Sequence, residues 1–346
     1  MDPAALTRAL LDRAREEGFA VAGVAEVRPL PRDARALDAW LARGFHSAMG
    51  WIAREPDRRS DPGRALPGCR SVVSLAANYG SGGEASAFPA GLAKVASYAR
   101  RRDYHGVLRR PLRRLAAWIE EASGAPTRVF VDTGPVLERA WAEASGVGWI
   151  GKNANLLTRT HGSWLLLAEI LSAARLEPTP GPHEEFCGSC TACLDACPTR
   201  AIVEPGVVDS NRCISYWTIE HRGAIPEGER PGIGEWIFGC DDCQTRCPWN
   251  VGFSKAADDG GLAMRPDLEG LDAEEVLRMS EAEFRARFSG TPIMRARWDG
   301  MRRNACVVLG NRRDPRALPA LLDAMSGADP VVRSHAEWAI RIIAES

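Results

Sequence analysis

Eight of the ten cysteines fall between Cys187 and Cys247. The first four lie in the run Cys187-Gly-Ser-Cys190-Thr-Ala-Cys193-Leu-Asp-Ala-Cys197-Pro198, which is C-x2-C-x2-C-x3-C-P. With that spacing three thiolates take three irons of one four-iron cube, and the fourth thiolate points away to a second cube. A second set, Cys240-Asp-Asp-Cys243-Gln-Thr-Arg-Cys247-Pro248, lacks the first cysteine of a full run, and Cys213 upstream can supply it. The ligand count then closes. Cys187, Cys190, Cys193 and Cys247 serve one [4Fe–4S] cluster, and Cys197, Cys213, Cys240 and Cys243 serve the other. C-x2-C pairs also bind zinc, but zinc ligands usually come as separated pairs rather than one run ending in proline. Cys69 and Cys306 lie outside the sets and read as ordinary buried residues. Two clusters imply single-electron transfer, so an electron acceptor is expected in the same chain.

The rest of the composition fits an oxidoreductase that works in the cytoplasm. The 346 residues suggest two or three domains, and a hydrophobic share of 45% can build a core. The net charge of −1 is silent about partners. The N-terminus, MDPAALTRALLDRAREEGF, reads as a charged amphipathic helix and not as an export signal. No run approaches the roughly 18 apolar residues of a membrane span. Clustered cysteines in such a chain argue for metal ligation over disulfides. We expect a monomer that makes no membrane contact.

The elements that must position these cysteines follow from periodicity. Residues 20–27, 71–76, 128–132 and 164–171 read as strands, with helices between them such as 107–122. This gives an α+β fold class whose first domain, 1–180, is of α/β type. Proline and glycine mark a linker at 176–182, and residues 181–260 form the cysteine module. Residues 261–346 read as helical, with helices at 301–310, 315–325 and 329–344 broken at Asp314-Pro315 and Asp329-Pro330. That punctuation suggests a HEAT-like segment. Between Thr291 and Arg316 seven arginines face two aspartates, a candidate surface for phosphates. Asp132 follows a strand-like run and has two readings. It is a carboxyl at a ligand-bearing sheet edge, or the N-cap of a helix after Thr133-Gly134-Pro135.

Longer motifs carry a resemblance. They are Val131-Asp132-Thr133-Gly134-Pro135-Val136-Leu137-Glu138-Arg139, Gly148-Trp149-Ile150-Gly151-Lys152-Asn153, the stretch from Cys213 to Gly223 (CISYWTIEHRG), the stretch from Gly239 to Asn250 (GCDDCQTRCPWN), Tyr98 to His105 (YARRRDYH) and Arg303 to Asn311 (RNACVVLGN). Together they span most of the chain, which resembles the epoxyqueuosine reductases, cobalamin-dependent enzymes of tRNA modification. The resemblance implies a nitroreductase-like cobalamin domain, a ferredoxin-like two-cluster domain and a helical HEAT-like end that holds tRNA. It implies reduction of epoxyqueuosine in the anticodon loop to queuosine, with two electrons and two protons consumed and water released. An external low-potential donor would supply the electrons. Cobalt(I) is a strong nucleophile able to open a strained epoxide, and low-potential clusters are its natural reductant.

The resemblance makes Asp132 the proton donor, a role that requires an apolar site to raise its pKa. No Asp-x-His-x-x-Gly signature is present, since Asp103-Tyr104-His105-Gly106-Val107 ends in Leu108. That absence argues against a histidine-ligated cobalt; base-off cobalamin without a protein axial ligand is what the resemblance implies, and His105 reads as a local hydrogen-bonding residue. Arg54, Ser97, Tyr98, Lys152, Asn155, Ser215, Asp241 and Asp242 are the candidate cobalamin contacts, with a plain turn or loop cap as the alternative at several. Arg222, Arg295, Arg297, Arg302, Arg303, Arg312 and Arg313 are the candidate tRNA contacts, with a solvated helix face as the alternative. Two rivals stay open: a reductive dehalogenase, and a ferredoxin module with a helical adaptor that relays electrons and binds no corrinoid.

Overall fold

The computed structural model describes residues 2–82, 88–182, 184–257 and 261–345. Its main strands are β1 (Val21–Glu26), β2 (Ser71–Asn78), β3 (Lys94–Val95), β4 (Thr127–Phe130), β5 (Leu165–Ser172) and β6 (Trp236–Phe238). Its main helices are α1 (Pro3–Glu16), α2 (Tyr104–Ser123), α3 (Glu138–Ala144), α4 (Ala273–Arg278), α5 (Glu281–Phe288), α6 (Arg297–Arg312), α7 (Leu318–Ser326) and α8 (Pro330–Ala344).

Four strands make one sheet in the order β1-β2-β5-β4, and every neighbouring pair is antiparallel. Strand β2 is the reason the sheet is central: its seven residues from Ser71 to Ala77 are buried on both faces. Period-2 alternation sends Val73, Leu75, Ala168 and Ile170 to a face covered by α1 and α2, through Leu6, Leu10, Leu112 and Ile119. Val72 and Leu171 go to the other face and meet Trp141 of α3. Helix α1 begins cleanly because Asp2 caps it, accepting the Ala5 N–H at 2.8 Å, with Pro3 at its first turn.

Helix α6 is the axis of the C-terminal helices, and α4, α7 and α8 gather around it and one another. Both Asp-Pro breaks appear as caps. Asp314 accepts from Arg316 N–H at 2.9 Å, and Asp329 accepts from Val331 and Val332 N–H at 2.8 and 3.2 Å. At Gly310, where α6 crosses α8, a Cβ would sit 2.6 Å from the Trp338 ring, so only glycine permits that approach. The core of this part also takes in Ala93, Val95 and Ala99 from the first half of the chain. Strand β3 pairs in parallel with β6, and that pairing stitches the first half to the cysteine module.

Two sequence readings of the Asp132 region need correction. The sheet-edge argument presumed parallel strands, and the sheet is antiparallel. Asp132 is also not a helix cap: α3 starts at Glu138, its N-cap position is Leu137, and Asp132 lies in a loop at φ 58°.

Candidate functional site

The cysteine loops fold into two short helices, Ala192–Asp195 and Asp242–Thr245, which lie against each other. Charge interactions join Cys193 to Cys187 and Cys247, and Cys247 to Cys190. They likewise join Cys213 to Cys197, Cys240 to Cys213 and Cys243, and Cys243 to Cys213 and Cys197. Most of these links fall within the two sets of four given by the spacing, and one, Cys193 with Cys243, runs between the sets. Burial pushes the thiols up, Cys193 to about 11 and Cys240 and Cys243 higher still. Only a bound cation would make them thiolates. Among the described residues no three His, Cys, Asp or Glu side chains are set to hold a single ion. In a four-iron cube each thiolate binds a different iron, so its ligands stand farther apart than around one zinc. Backbone N–H groups also reach the sulfurs, as Ala201 N–H does to Cys197 Sγ at 3.2 Å. The residues thus fit two clusters.

Lys152 lies behind the first group. Its ammonium donates to the carbonyls of Gly188 and Cys190 at 2.5 and 3.0 Å, so it braces the loop of the first thiol group. Trp149, Phe186 and Trp249 pack edge to face beside Cys187 and Cys247, with Trp149 5.1 Å from Phe186 and 5.3 Å from Trp249.

Asp132 sits at the other end of this region. Its side chain is 57% exposed, and its Oδ2 accepts the Tyr104 hydroxyl at 2.9 Å. His105 Nε2 lies 3.3 Å from the same oxygen, an ion-pair distance without hydrogen-bond alignment. The other ring nitrogen, Nδ1, meets Asp103 Oδ1 at 2.7 Å, and Asp103 also caps α2. Flanked by two carboxylates, His105 is pushed up to about 9. Asp132 is held below the usual carboxylate range, chiefly by His105 and then by Tyr104. Both directions run against the expectation of a raised, protonated Asp132 and favour His105 as the group that carries the proton. Sequence reasoning gave His105 no part in it, although Asp103, Tyr104 and His105 lay in a quoted motif.

The candidate cofactor residues divide. Tyr98 stands within charge reach of both Asp132 and Asp241, so it links the acid site to the second thiol group. Asn155 belongs to the turn 151–155, which Arg139 ties to α3 by donating to the Ala154 carbonyl. In that turn Asn153 buries an amide, Nδ2, that finds no acceptor among the described residues. Ser215 is half-buried beside Cys213, and Arg54 is exposed on the segment whose Arg59 carbonyl accepts Leu137 N–H. An unsatisfied amide and partly buried polar side chains fit a large, amide-rimmed cofactor. Ser97, Asp241 and Asp242 instead line a separate cleft of about 350 Å³. There Asp241 accepts Ser97 N–H at 2.6 Å and Asp242 accepts Trp236 Nε1–H at 3.1 Å, so both carboxylates hold loops.

The arginines divide as well. Arg295 forks onto Glu220 at 2.8 and 2.9 Å, stacks over Trp51 at 5.4 Å and lies within charge reach of Asp132. Arg222 donates to the Arg295 carbonyl, and exposed Arg297 lies near it. These three form a basic rim at the acid site. Arg312, paired with Glu235, and exposed Arg313 close the far end of α6, about 22 Å away at 1.5 Å per residue. Arg302 stacks on Trp298 and donates to the Leu277 carbonyl. Arg303 is corrected outright as a phosphate contact. It is 2% exposed and donates to the carbonyls of Trp217, His221 and Gly223 at 2.7, 2.8 and 3.0 Å.

Fold and thiol groups together define an iron–sulfur oxidoreductase. Residues 186–250 match the family model of a 4Fe-4S double cluster binding domain, and residues 59–133 match that of epoxyqueuosine reductase QueG, DUF1730. The chain is 42% identical over 348 residues to the epoxyqueuosine reductase of Pseudomonas aeruginosa, covering 98% of this chain and 95% of that one. It is 44% identical over 315 residues to that of Gloeobacter violaceus, covering 88% and 96%. A solved epoxyqueuosine reductase bound to an epoxyqueuosine-modified tRNA-Tyr stem loop superposes with a TM-score of 0.91 at 31% identity, covering 98% and 90%. The Bacillus subtilis enzyme, with its catalytic aspartate loop swung out of the active site, superposes with a TM-score of 0.89 at 31% identity and the same coverage. The chain belongs to the epoxyqueuosine reductase family.

Proposed function

We propose that this chain reduces the epoxide of epoxyqueuosine in a tRNA anticodon loop to the alkene of queuosine, using two electrons and two protons and releasing water. The observation that supports this most is the grouping of His105 and Arg295 at Asp132, with Tyr98 within charge reach of both Asp132 and Asp241 beside the second thiol group. An acid, a basic rim and an electron path then meet at one place.

Cys187, Cys190, Cys193 and Cys247 would hold one [4Fe–4S] cluster, and Cys197, Cys213, Cys240 and Cys243 the other. Base-off cobalamin would be held by Tyr98, Asn155, Ser215 and Arg54, with the Asn153 amide as a further donor. Lys152, Ser97, Asp241 and Asp242 support it by fixing the loops behind. Bound cobalamin supplies a low-potential cobalt centre that carries electrons to the substrate carbon skeleton.

The chain's own residues manage protons and position. His105 keeps a proton at Nε2, 3.3 Å from Asp132 Oδ2, through the neutral range. Asp132, more than half exposed, takes that proton and gives it to the departing oxygen. Tyr104 holds Oδ2 in place by its hydroxyl. Arg222, Arg295 and Arg297 meet the phosphates nearest the modified base, and Arg312 and Arg313 meet phosphates farther along the stem. The domain reading of 1–180 for cobalamin, 181–260 for clusters and 261–346 for tRNA goes with this proposal. So do a cytoplasmic monomer and an external low-potential donor.

The test is anaerobic purification, iron analysis and an assay on epoxyqueuosine tRNA, with nucleoside mass spectrometry as the readout. About eight irons per chain and queuosine formed only with cobalamin are expected. A protein loaded with clusters and cobalamin that leaves epoxyqueuosine unchanged overturns the proposal.

A further inference from the structure

Asp132 also has a backbone partner. Glu138, the first residue of α3, accepts Asp132 N–H at 2.7 Å through Oε1. Asp132 needs such a partner, because at φ 58° it occupies the left-handed region, which side-chain-bearing residues keep only when their surroundings impose it.

Behind Glu138 lies Glu169, in the middle of β5. It is 0% exposed and flanked in register by Ser74 on β2 and Phe130 on β4. Neither of its carboxyl oxygens, nor Ser74 Oγ, pairs with an N–H or O–H donor among the described residues. The polar group that reaches Glu169 is the carboxyl of Glu138. Arg139 and Arg59 face Glu138 as charges, but Arg139 donates to the Ala154 carbonyl and Arg59 to the Trp51 carbonyl. No cation pairs with Glu169 among the described residues. A fully buried carboxylate against a half-buried one repels it, and one shared proton turns the repulsion into a short O–H···O bond. Burial and the neighbouring carboxylates push Glu138 up to about 7 and Glu169 well above the usual carboxylate range.

We propose that Glu138 and Glu169 form a shared-proton carboxyl pair that latches the Asp132 loop, with Glu169 fixed in the sheet, Glu138 held by Glu169, and the Asp132 backbone held by Glu138. Both are positioning residues, and the inference rests on the proposed function only for what the held carboxylate does. The latch sets the Asp132 side chain against His105 and Tyr104.

Hydrogen exchange at the Asp132 amide, read by mass spectrometry with fragmentation, tests the latch without any turnover. Glu138→Gln keeps an acceptor and should leave that amide protected. Glu138→Ala should speed its exchange roughly three- to tenfold, the worth of one hydrogen bond. In the turnover assay Glu138→Ala should lower kcat with KM for tRNA unchanged, and Glu138→Gln should restore it. Equal exchange in Glu138→Ala and wild type overturns the proposal, as does an equal fall of kcat in both variants. Should Glu138→Ala not fold, infrared spectra decide. A protonated-carboxyl C=O band is expected in wild type at mildly alkaline pH and not in Glu169→Gln, and its absence from wild type overturns the shared proton. If wild type leaves epoxyqueuosine tRNA unchanged, the proposed function fails while exchange and infrared still decide the latch.

Discussion

At Asp132 the carboxyl is more than half exposed, and His105 and Tyr104 hold it charged, below the usual carboxylate range. At Cys240 and Cys243 burial favours the neutral thiol and pushes both groups up. The acid site therefore carries its charges before any ligand arrives, whereas the thiol site gains charge only as iron binds. On the proposed function, proton handling falls to an exposed carboxylate that water can resupply. Electron handling would fall to buried sulfur, which low dielectric protects. Tyr98 is buried within charge reach of both Asp132 and Asp241, so it lies near both.

The contrast is broken most severely at a thiol. Cys197→Ser should abolish queuosine formation and remove about half of the iron. The spectroscopic signal lost should be the one also lost in Cys213→Ser and kept in Cys187→Ser. If Cys197→Ser and Cys187→Ser lose the same signal, the two groups of four are wrongly drawn.

Next in size is the acid. Asp132→Asn should keep both clusters and slow turnover by roughly 10²–10⁴-fold. The site also has a pH signature. Because the folded pKa of His105 is raised, its stabilising pairing with Asp103 and Asp132 is fully present below about 6.5 and is lost as pH rises through about 9. Melting curves of wild type and His105→Asn should therefore differ most in mildly acidic buffer and converge in alkaline buffer. A gap that widens with pH contradicts the assignment of the proton to His105.

Arginines give the smaller effects and the sharpest contrast. Arg303→Ala leaves buried carbonyls without donors and should cost about 3 kcal/mol of stability, seen as a lower Tm with or without RNA. Arg295→Ala should leave Tm nearly unchanged. It should weaken tRNA binding and reduce the slope of log affinity against log salt by about 1.

Much of this was legible in the residues, for physical reasons that differ by region. Cluster ligands obey short local spacings, so the run from Cys187 to Cys197 could be read directly. The strands around Ser71 and Leu171 could be read from apolar runs, but their antiparallel pairing could not, because it is set by long-range register. The arginines of α6 look alike in sequence. Only packing against the 216–223 segment separates buried Arg303 from exposed Arg297. His105 was set aside because its role needs Asp132, 27 positions away, to fold back onto it. The Glu138–Glu169 pair left one trace in the sequence, a carboxyl at the centre of the apolar run LLLAEILS, where strands seldom place one unpaired.

The parallel pairing of β3 with β6 bears on how the protein is made. Lys94 and Val95 emerge from the ribosome roughly 140 residues before Trp236 and Phe238, a delay on the order of ten seconds at 5–20 residues per second. During that interval the edge of β3 and its apolar neighbours Ala93 and Ala99 wait for a partner. The core that Ala93, Val95 and Ala99 share with the C-terminal helices is therefore complete only after residues 236–238 and the helices that follow them have been synthesised.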